Sequence, residues 1–276
     1  MRRGVGGRAF GHALLLIGGL AWLYPFLWTL GSSLKSTDGF FNQGLNPIPS
    51  EFVWSNYPAA WEEASFGQFF LNTVVIAVGT VLLTLFITST AGYVLARTRF
   101  VGRRGCLLLV SVTLFLPHGY TIIPVFDVIR SLGLLNTLWA VVIVQSAGGV
   151  VFATFLFMGY FMTIDRELED AARVDGANFH QVFWRVMLPL AGPMLATVAL
   201  FTFISAWNSF FIPLVFTLSR PELHTLAVGM YAFVGQNSTQ WTYLCAGSVL
   251  TLAPIILVFV LLQRYFVNGI AGAVKA

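Results

Sequence analysis

Side chains that do chemistry come as a nucleophile beside a base, a cluster of metal ligands or a paired acid and base. The sequence offers none of these at a working spacing. His12, His118, His180 and His224 are scattered without the intervals of a metal site. The two lysines are Lys35 and Lys275, and Lys35 follows Leu34 where a phosphate-binding loop needs glycine. The polar residues that fall inside long apolar stretches are un-ionised: Tyr120 and Thr121, Gln145 and Ser146, Asn208 and Ser209. Aromatic and amide groups of this kind suit a hydroxyl-bearing solute, while the same residues also serve to glue helices together. Asn208 reads more simply as a brace within its own helix. His118, between Pro117 and Gly119, fits either a wet cavity or a hydrogen-bonded structural role. A proton-driven carrier needs ionisable relays at membrane depth, and His118 and the tyrosines are the titratable groups placed there. Any path through this chain takes its energy from elsewhere, unless it is a passive channel.

The elements that must hold these residues follow from charge spacing. The chain of 276 residues is 57% hydrophobic and 9% charged, against about 25% charged in soluble domains. Charges are absent between Arg8 and Lys35, Glu63 and Arg97, Arg104 and Asp127, Arg130 and Asp165, Arg185 and Arg220, and Glu222 and Arg264. Each gap holds one span of the roughly 20 apolar residues that cross a bilayer core. The expectation is an all-α membrane protein with six transmembrane helices near 10–31, 70–95, 105–126, 138–161, 193–218 and 243–263. Pro117, Gly119 and Pro124 interrupt the third, which places it inside a bundle where freed backbone groups find partners.

With a cytoplasmic amino terminus, twelve Lys and Arg residues lie inside and three (Lys35, Arg130 and Arg220) lie outside. That asymmetry puts both termini in the cytoplasm. It also makes the net charge of +4 a topology signal and not a nucleic-acid patch. A cleaved signal peptide is the competing reading of the first helix, with Gly31-Ser32-Ser33 as its small-residue site. Its apolar run is too long for that reading and carries Pro25 and bulky aromatics. Cys106 and Cys245 fall near opposite membrane faces, too far apart to pair, and read as apolar fillers.

Outside the spans, residues 35–69 form an aromatic-rich extracytoplasmic segment with Phe40, Phe41, Trp54, Tyr57, Trp61 and Phe66. It reads equally as a connecting loop and as a docking surface. The stretch 163–192 is more informative. Asp165 and Glu167 open a helix to about 174, where acids suit the helix dipole, and Gly176 ends it in the left-handed conformation. Asn178 with Gln181 forms a capping box for a second helix. Its stripe is Phe179, Val182, Phe183, Val186 and Met187, and Pro189 stops it. The turn from Ala172 to Asn178 points to the cytosol, and small Ala171, Ala172 and Gly176 let another protein approach. An amphipathic connector that binds nothing fits the same pattern.

Asp170-Ala171-Ala172, Gly176 and Leu188-Pro189 resemble the EAA motif of bacterial ABC-type import permeases, with aspartate in place of the motif's glutamate. The chain is most similar to the carbohydrate-uptake branch, in particular the smaller permease subunit of maltose-type and glycerol-phosphate-type systems. Asn56-Tyr57, Phe70-Leu71-Asn72-Thr73, Gly92 to Arg97, Gly133 to Thr137, Trp207-Asn208, Pro213-Leu214 and Gly272 to Lys275 carry the likeness. The resemblance implies the type I ABC importer permease fold. Residues 1–66 would hold the first helix and the extracytoplasmic segment, 67–264 the five-span transmembrane domain with its coupling loop at 163–192, and 265–276 a cytoplasmic tail.

It further implies a bacterial inner-membrane sugar importer subunit that is not itself an enzyme. A cytoplasmic ATPase dimer would bind ATP and magnesium, so this chain would need no cofactor. A second homologous permease and an extracytoplasmic solute-binding protein would complete the assembly in membrane lipid. Asp170, Ala171, Ala172, Gly176, Glu169 and Pro189 would couple to the ATPase, with Glu169 offsetting the shortened Asp170. A di- or oligosaccharide is the expected solute, because no intramembrane Arg or Lys awaits a phosphate. A self-powered secondary carrier and a passive channel are the competing classes.

Overall fold

The computed structural model describes residues 5–115, 121–235 and 239–273, with side chains described over 11–115, 121–235 and 239–263. Among these residues the chain is helical, and its one extended pairing is a single bridge between Val234 and Thr239. In chain order the α-helices are α1 (Val5–Ser32), α2 (Thr37–Asn42), α3 (Asn56–Glu63), α4 (Phe66–Arg97), α5 (Arg103–Thr113), α6 (Ile122–Ser131) and α7 (Leu138–Thr163). There follow α8 (Arg166–Val174), α9 (Phe179–Val182), α10 (Leu188–Leu190), α11 (Gly192–Trp207), α12 (Phe211–Phe216), α13 (Leu226–Gly229) and α14 (Trp241–Ala273).

Four helices, α1, α4, α7 and α14, are long and apolar enough to cross a membrane, and the bent pair 179–190 plus α11 makes a fifth candidate. The expected third span at 105–126 is instead two short helices, α5 and α6. Pro117, His118, Gly119 and Tyr120 between them lie outside the described residues. The expected fifth span at 193–218 ends early as well. α11 stops at Trp207, Asn208 caps it, and α12 starts afresh at Phe211. The Asn208 amide donates to its own helix at Ile204 O (2.9 Å), so the brace reading of that residue holds in the structure. The expected tail at 265–276 is helical through Ala273, and Val274 and Lys275 lie beyond the described residues.

One compact unit comprises Gln68–Val228 and Ile255–Ala276. Within it α4 lies against α7 along a face of small and hydroxyl side chains. A Cβ on Gly92 would stand 2.6 Å from Phe157 Cβ and 2.9 Å from Met158 N, so only glycine permits that approach. Ser146 is buried with its hydroxyl between Val142 O (2.7 Å) and Thr80 O (3.4 Å), which pins α7 to α4. Two apolar clusters bracket this contact. One gathers Ile76, Ile129, Val141 and Phe216, the other Tyr93, Phe157, Phe161, Phe183 and Met187.

Three sequence stretches that looked like family signatures have structural work in this unit. Asn72 is buried and its amide donates to Glu222 O (2.8 Å) and His224 O (2.9 Å), while Thr73 accepts from Leu226 N (2.9 Å). Together they clamp the 222–226 loop to α4. Asn136 takes a left-handed φ of 59° and receives Ser219 N on its side chain (3.3 Å). Thr137 then caps α7 by accepting from Ala140 N (3.2 Å). Burial pushes His224 below the usual imidazole range, with Glu222 partly opposing.

The other unit comprises Met1–Gly67 and Gly229–Pro254. Here the aromatic-rich segment is folded, not a slack connection. The Lys35 ammonium is buried and donates to Asn46 O (2.6 Å), and Asn56 donates to Ser33 O (2.9 Å) and Lys35 O (2.8 Å). Ser32 and Ser33 are fully buried, so the small residues that suggested a cleavage site are packing. Phe40 stacks on Trp241 (6.0 Å) and Trp61 meets Phe66 (5.9 Å). Of the two free cysteines, Cys245 is buried as expected of a filler and Cys106 is exposed.

Asn72→Ala strips two part-buried carbonyls of their donor, a loss of about 1 kcal/mol. The detergent-solubilised protein should melt lower, and the 217–228 segment should become sensitive to protease. With His224 depressed, the unfolded chain binds more protons over the window from 6.5 down to the lowered folded value. Wild-type stability should therefore fall as pH drops through that window, and His224→Gln should flatten the dependence.

Candidate functional site

Residues 165–190 form a pair of short helices whose turn is built by backbone rules. Asp165 precedes α8 in extended conformation, Glu167 and Glu169 stand in its first turn and Arg173 in its last, all favourable to the dipole. Gly176 adopts φ 87°, with Gly176 N on Arg173 O (3.0 Å) and Ala177 N on Ala172 O (2.9 Å). That pattern is a complete Schellman ending. Asn178 then accepts from Gln181 N (3.0 Å) while Gln181 accepts from Asn178 N (2.9 Å), so the expected capping box is formed.

The second helix departs from its expected form. After α9 the chain widens into one π-helical turn, Phe183–Met187, and continues through Pro189 to Leu190 before bending by 75° into α11. A proline ring collides with the carbonyl four residues back, and a π turn spreads the backbone just where Arg185 O would otherwise meet Pro189. Pro189 is therefore carried inside the helix, exposed, and the stop falls at Ala191. The expected stripe is buried at Val182, Phe183 and Met187, half-buried at Val186 and exposed at Phe179.

Two sets of contacts fasten this pair to the bundle. Tyr93 of α4 is enclosed by Phe183 (5.0 Å), Phe179 (5.2 Å) and Phe161 (5.5 Å). Arg97, the last residue of α4, places Nε 2.7 Å from Glu169 Oε1, and each side chain is 5% exposed. The approach lies off the N–H axis, so it is an ion pair more than an aligned hydrogen bond. Arg97 Nη2 donates to Ile164 O at the end of α7. Glu169 is thus turned inward and engaged, which corrects its expected role as a spare carboxylate for a partner. Sequence reasoning missed Arg97 and Tyr93 as part of this site, although both lie in a stretch that carried the family likeness.

The opposite face is open. Asp170, Ala171, Gly176 and Val174 are exposed, Val174 by 87%, and Ala172 is half-buried. Asp170 meets Arg173 at 3.4 Å with both side chains in solvent, a pair worth little. No Cβ neighbour crowds Gly176. The turn therefore presents Asp170 and Asp175, with exposed Arg173 and Val174 between them, beside small Ala171 and an uncrowded Gly176.

The polar residues suspected of touching a solute divide. Thr121, Gln145 and Ser209 line cavities, Ser146 and Asn208 are tied into helices, and Tyr120 lies outside the described residues. A cavity of about 450 Å³ between α4, α7 and α11 is lined by Thr80, Thr84, Gln145, Thr202, Ser205 and Ser209 among apolar groups. A second of about 630 Å³ is lined by Thr121, Ser209, Phe152, Phe210 and Phe211. No acid or base lines either among the described residues. Thr80, Thr84, Thr202 and Ser205 went unnoticed in the sequence. Their three- and four-residue spacing was the available signal.

Residues 88–272 match the family of binding-protein-dependent transport system inner membrane components. The chain belongs to this family. Over 257 residues it is 36% identical to the probable ABC transporter permease protein YurM of Bacillus subtilis, covering 93% of this chain and 85% of the relative. It is 33% identical to the diacetylchitobiose uptake system permease protein NgcG of Streptomyces coelicolor, covering 97% and 87%. A solved bacterial ABC transporter involved in the import of the acidic polysaccharide alginate superposes with a TM-score of 0.84 at 29% identity, over 96% of this chain and 99% of that one. As an inner-membrane transport component, the chain crosses the membrane several times. Its fold is that of an ABC importer permease.

Gly176→Val forces a side chain into the left-handed region, and Asn178→Ala removes a cap worth about 1 kcal/mol. Both should expose the 174–180 turn to protease while the bundle's melting temperature moves little, as limited proteolysis beside a thermal scan would show.

Proposed function

We propose that this chain is a permease subunit of an ATP-driven sugar importer, forming half of the translocation path. α5 and α6 together make the third of six crossings, and both termini face the cytoplasm. The observation that carries the reading is the 170–176 turn, exposed and small on one side and anchored to α4 and α7 on the other. The caps and the ion pair hold the turn from behind, while its outer face is left exposed and open to a partner. The turn docks in a cleft of a cytoplasmic ATPase through Asp170, Ala171, Ala172 and Gly176, with Pro189 shaping the helix behind it. ATP and magnesium sit on the ATPase pair, whose closure shifts a two-state bundle by differential contact.

A second permease supplies the other half of the path, and a solute-binding protein delivers the cargo. The relatives named for diacetylchitobiose and alginate support a carbohydrate. Cavities lined by hydroxyls and an amide among apolar groups, with no charge among the described residues, favour a neutral di- or oligosaccharide over a phosphorylated one.

Gentle affinity purification from native membrane should recover an ATPase, a second permease and a binding protein, and the ligand of that binding protein names the sugar. Cysteines at Ala171 and Val174 should crosslink to the ATPase. Recovery of the chain alone, with no crosslinked partner, would remove the proposal.

A further inference from the structure

We propose that Arg97 and Glu169 form a strut that carries displacement of the 170–176 turn into α4, which makes both positioning residues for transport. The inference rests on the coupling reading above. Glu169 is the one buried residue of α8, whose other side chains are exposed apart from the half-buried Ala172. The attachment of α8 to the bundle thus runs through that carboxylate, with Ala172 packed at the edge of the Tyr93 cluster. At its other end the strut ties three element termini at one point, since Arg97 closes α4, pairs with Glu169 and donates to Ile164 O at the end of α7.

The second route from the turn to the bundle is softer. Along the chain it passes through the π turn and the 75° bend at Ala191, both places where a helix yields, while the rings of Phe179 and Phe183 also meet Tyr93 of α4. Push applied at the turn therefore reaches α4 first. Arg97 Nε, Glu169 Oε1 and the Tyr93 hydroxyl are all buried without an aligned hydrogen bond, so the strut holds by charge attraction at 2.7 Å and not by one fixed hydrogen-bond geometry.

α4 is also a wall of the cavity that holds Thr80 and Thr84, so movement of α4 changes access there. The test uses the native complex with its ATPase, in proteoliposomes, with Cys106→Ser, Cys245→Ser and Ser205→Cys to report on that cavity. The probe is a maleimide, and the readouts are its labelling rate with and without ATP–Mg and the rate of ATP hydrolysis. In this background ATP should change labelling severalfold; if it changes nothing, the coupling reading fails and not the strut alone.

Glu169→Gln and Arg97→Gln should reduce the ATP-dependent labelling change about tenfold, and by clearly more than they reduce the rate of ATP hydrolysis. Arg97→Lys keeps the charge and should retain most of the change, which separates a lost strut from a misfolded chain. The strut is overturned if the glutamine variants keep the full labelling change, if they shed the ATPase, or if Arg97→Lys fails as completely as Arg97→Gln.

Discussion

Arg97 and Glu169 meet 2.7 Å apart with each side chain 5% exposed, and a pair so placed must offset the desolvation of two charges. The placement of the 165–190 helix pair against α4 and α7 depends on that condition being met. Breaking one side of a buried pair leaves an uncompensated charge and costs about 3–5 kcal/mol. The compensation here comes from several directions. Arg173 reaches the second carboxylate oxygen of Glu169 at 3.4 Å, and the Ile164 carbonyl takes an Arg97 donor. The aromatic enclosure of Tyr93 keeps water away. Hydrophobic burial alone would allow α8 to slide along its neighbours, whereas a charge pair fixes its place.

That fixed point gives meaning to the turn. A helix of nine residues is too short to hold itself in water, so α8 persists through its caps, its dipole-matched charges and its anchor. With position settled from behind, the outer surface is left to exposed Asp170, Arg173, Val174 and Asp175 among small alanines and a left-handed glycine. Of the two adjacent acids, the one that faces outward is Asp170, not Glu169, so the shortened side chain at that motif position has no substitute beside it.

The bundle above the turn follows a different logic. Helix contacts there rest on close approach at Gly92 and on buried hydroxyls, such as Ser146, which hydrogen-bond backbone carbonyls. In a bilayer, packing and internal hydrogen bonds hold helices together where the hydrophobic effect cannot. The same hydroxyl-rich faces continue into the cavities, so one residue class both binds helices and lines space. Gln145 and Ser209 belong to the lining; Ser146, one residue along from Gln145, belongs to the glue.

The amino-acid sequence by itself determined the helical membrane class, where the long helices lie in the chain and the Gly176 and Asn178–Gln181 ends of the helix pair. These depend on local rules: charge gaps, helix dipoles, and a glycine where φ is positive. The family was legible for the same reason, since its motif is contiguous. Tertiary structure decided the rest. Glu169 and Asp170 are adjacent acids on one helix, and only the position of Arg97, 72 residues away, turns one into an anchor and leaves the other free. Pro189 looked like a stop, and the widened turn before it absorbed the clash that would have made it one. The π turn before Pro189 and the Asn208 bond to Ile204 O are settled within one turn of their own helices. The Glu169 anchor hangs on which charge lies opposite, and a residue far away in the chain supplies that.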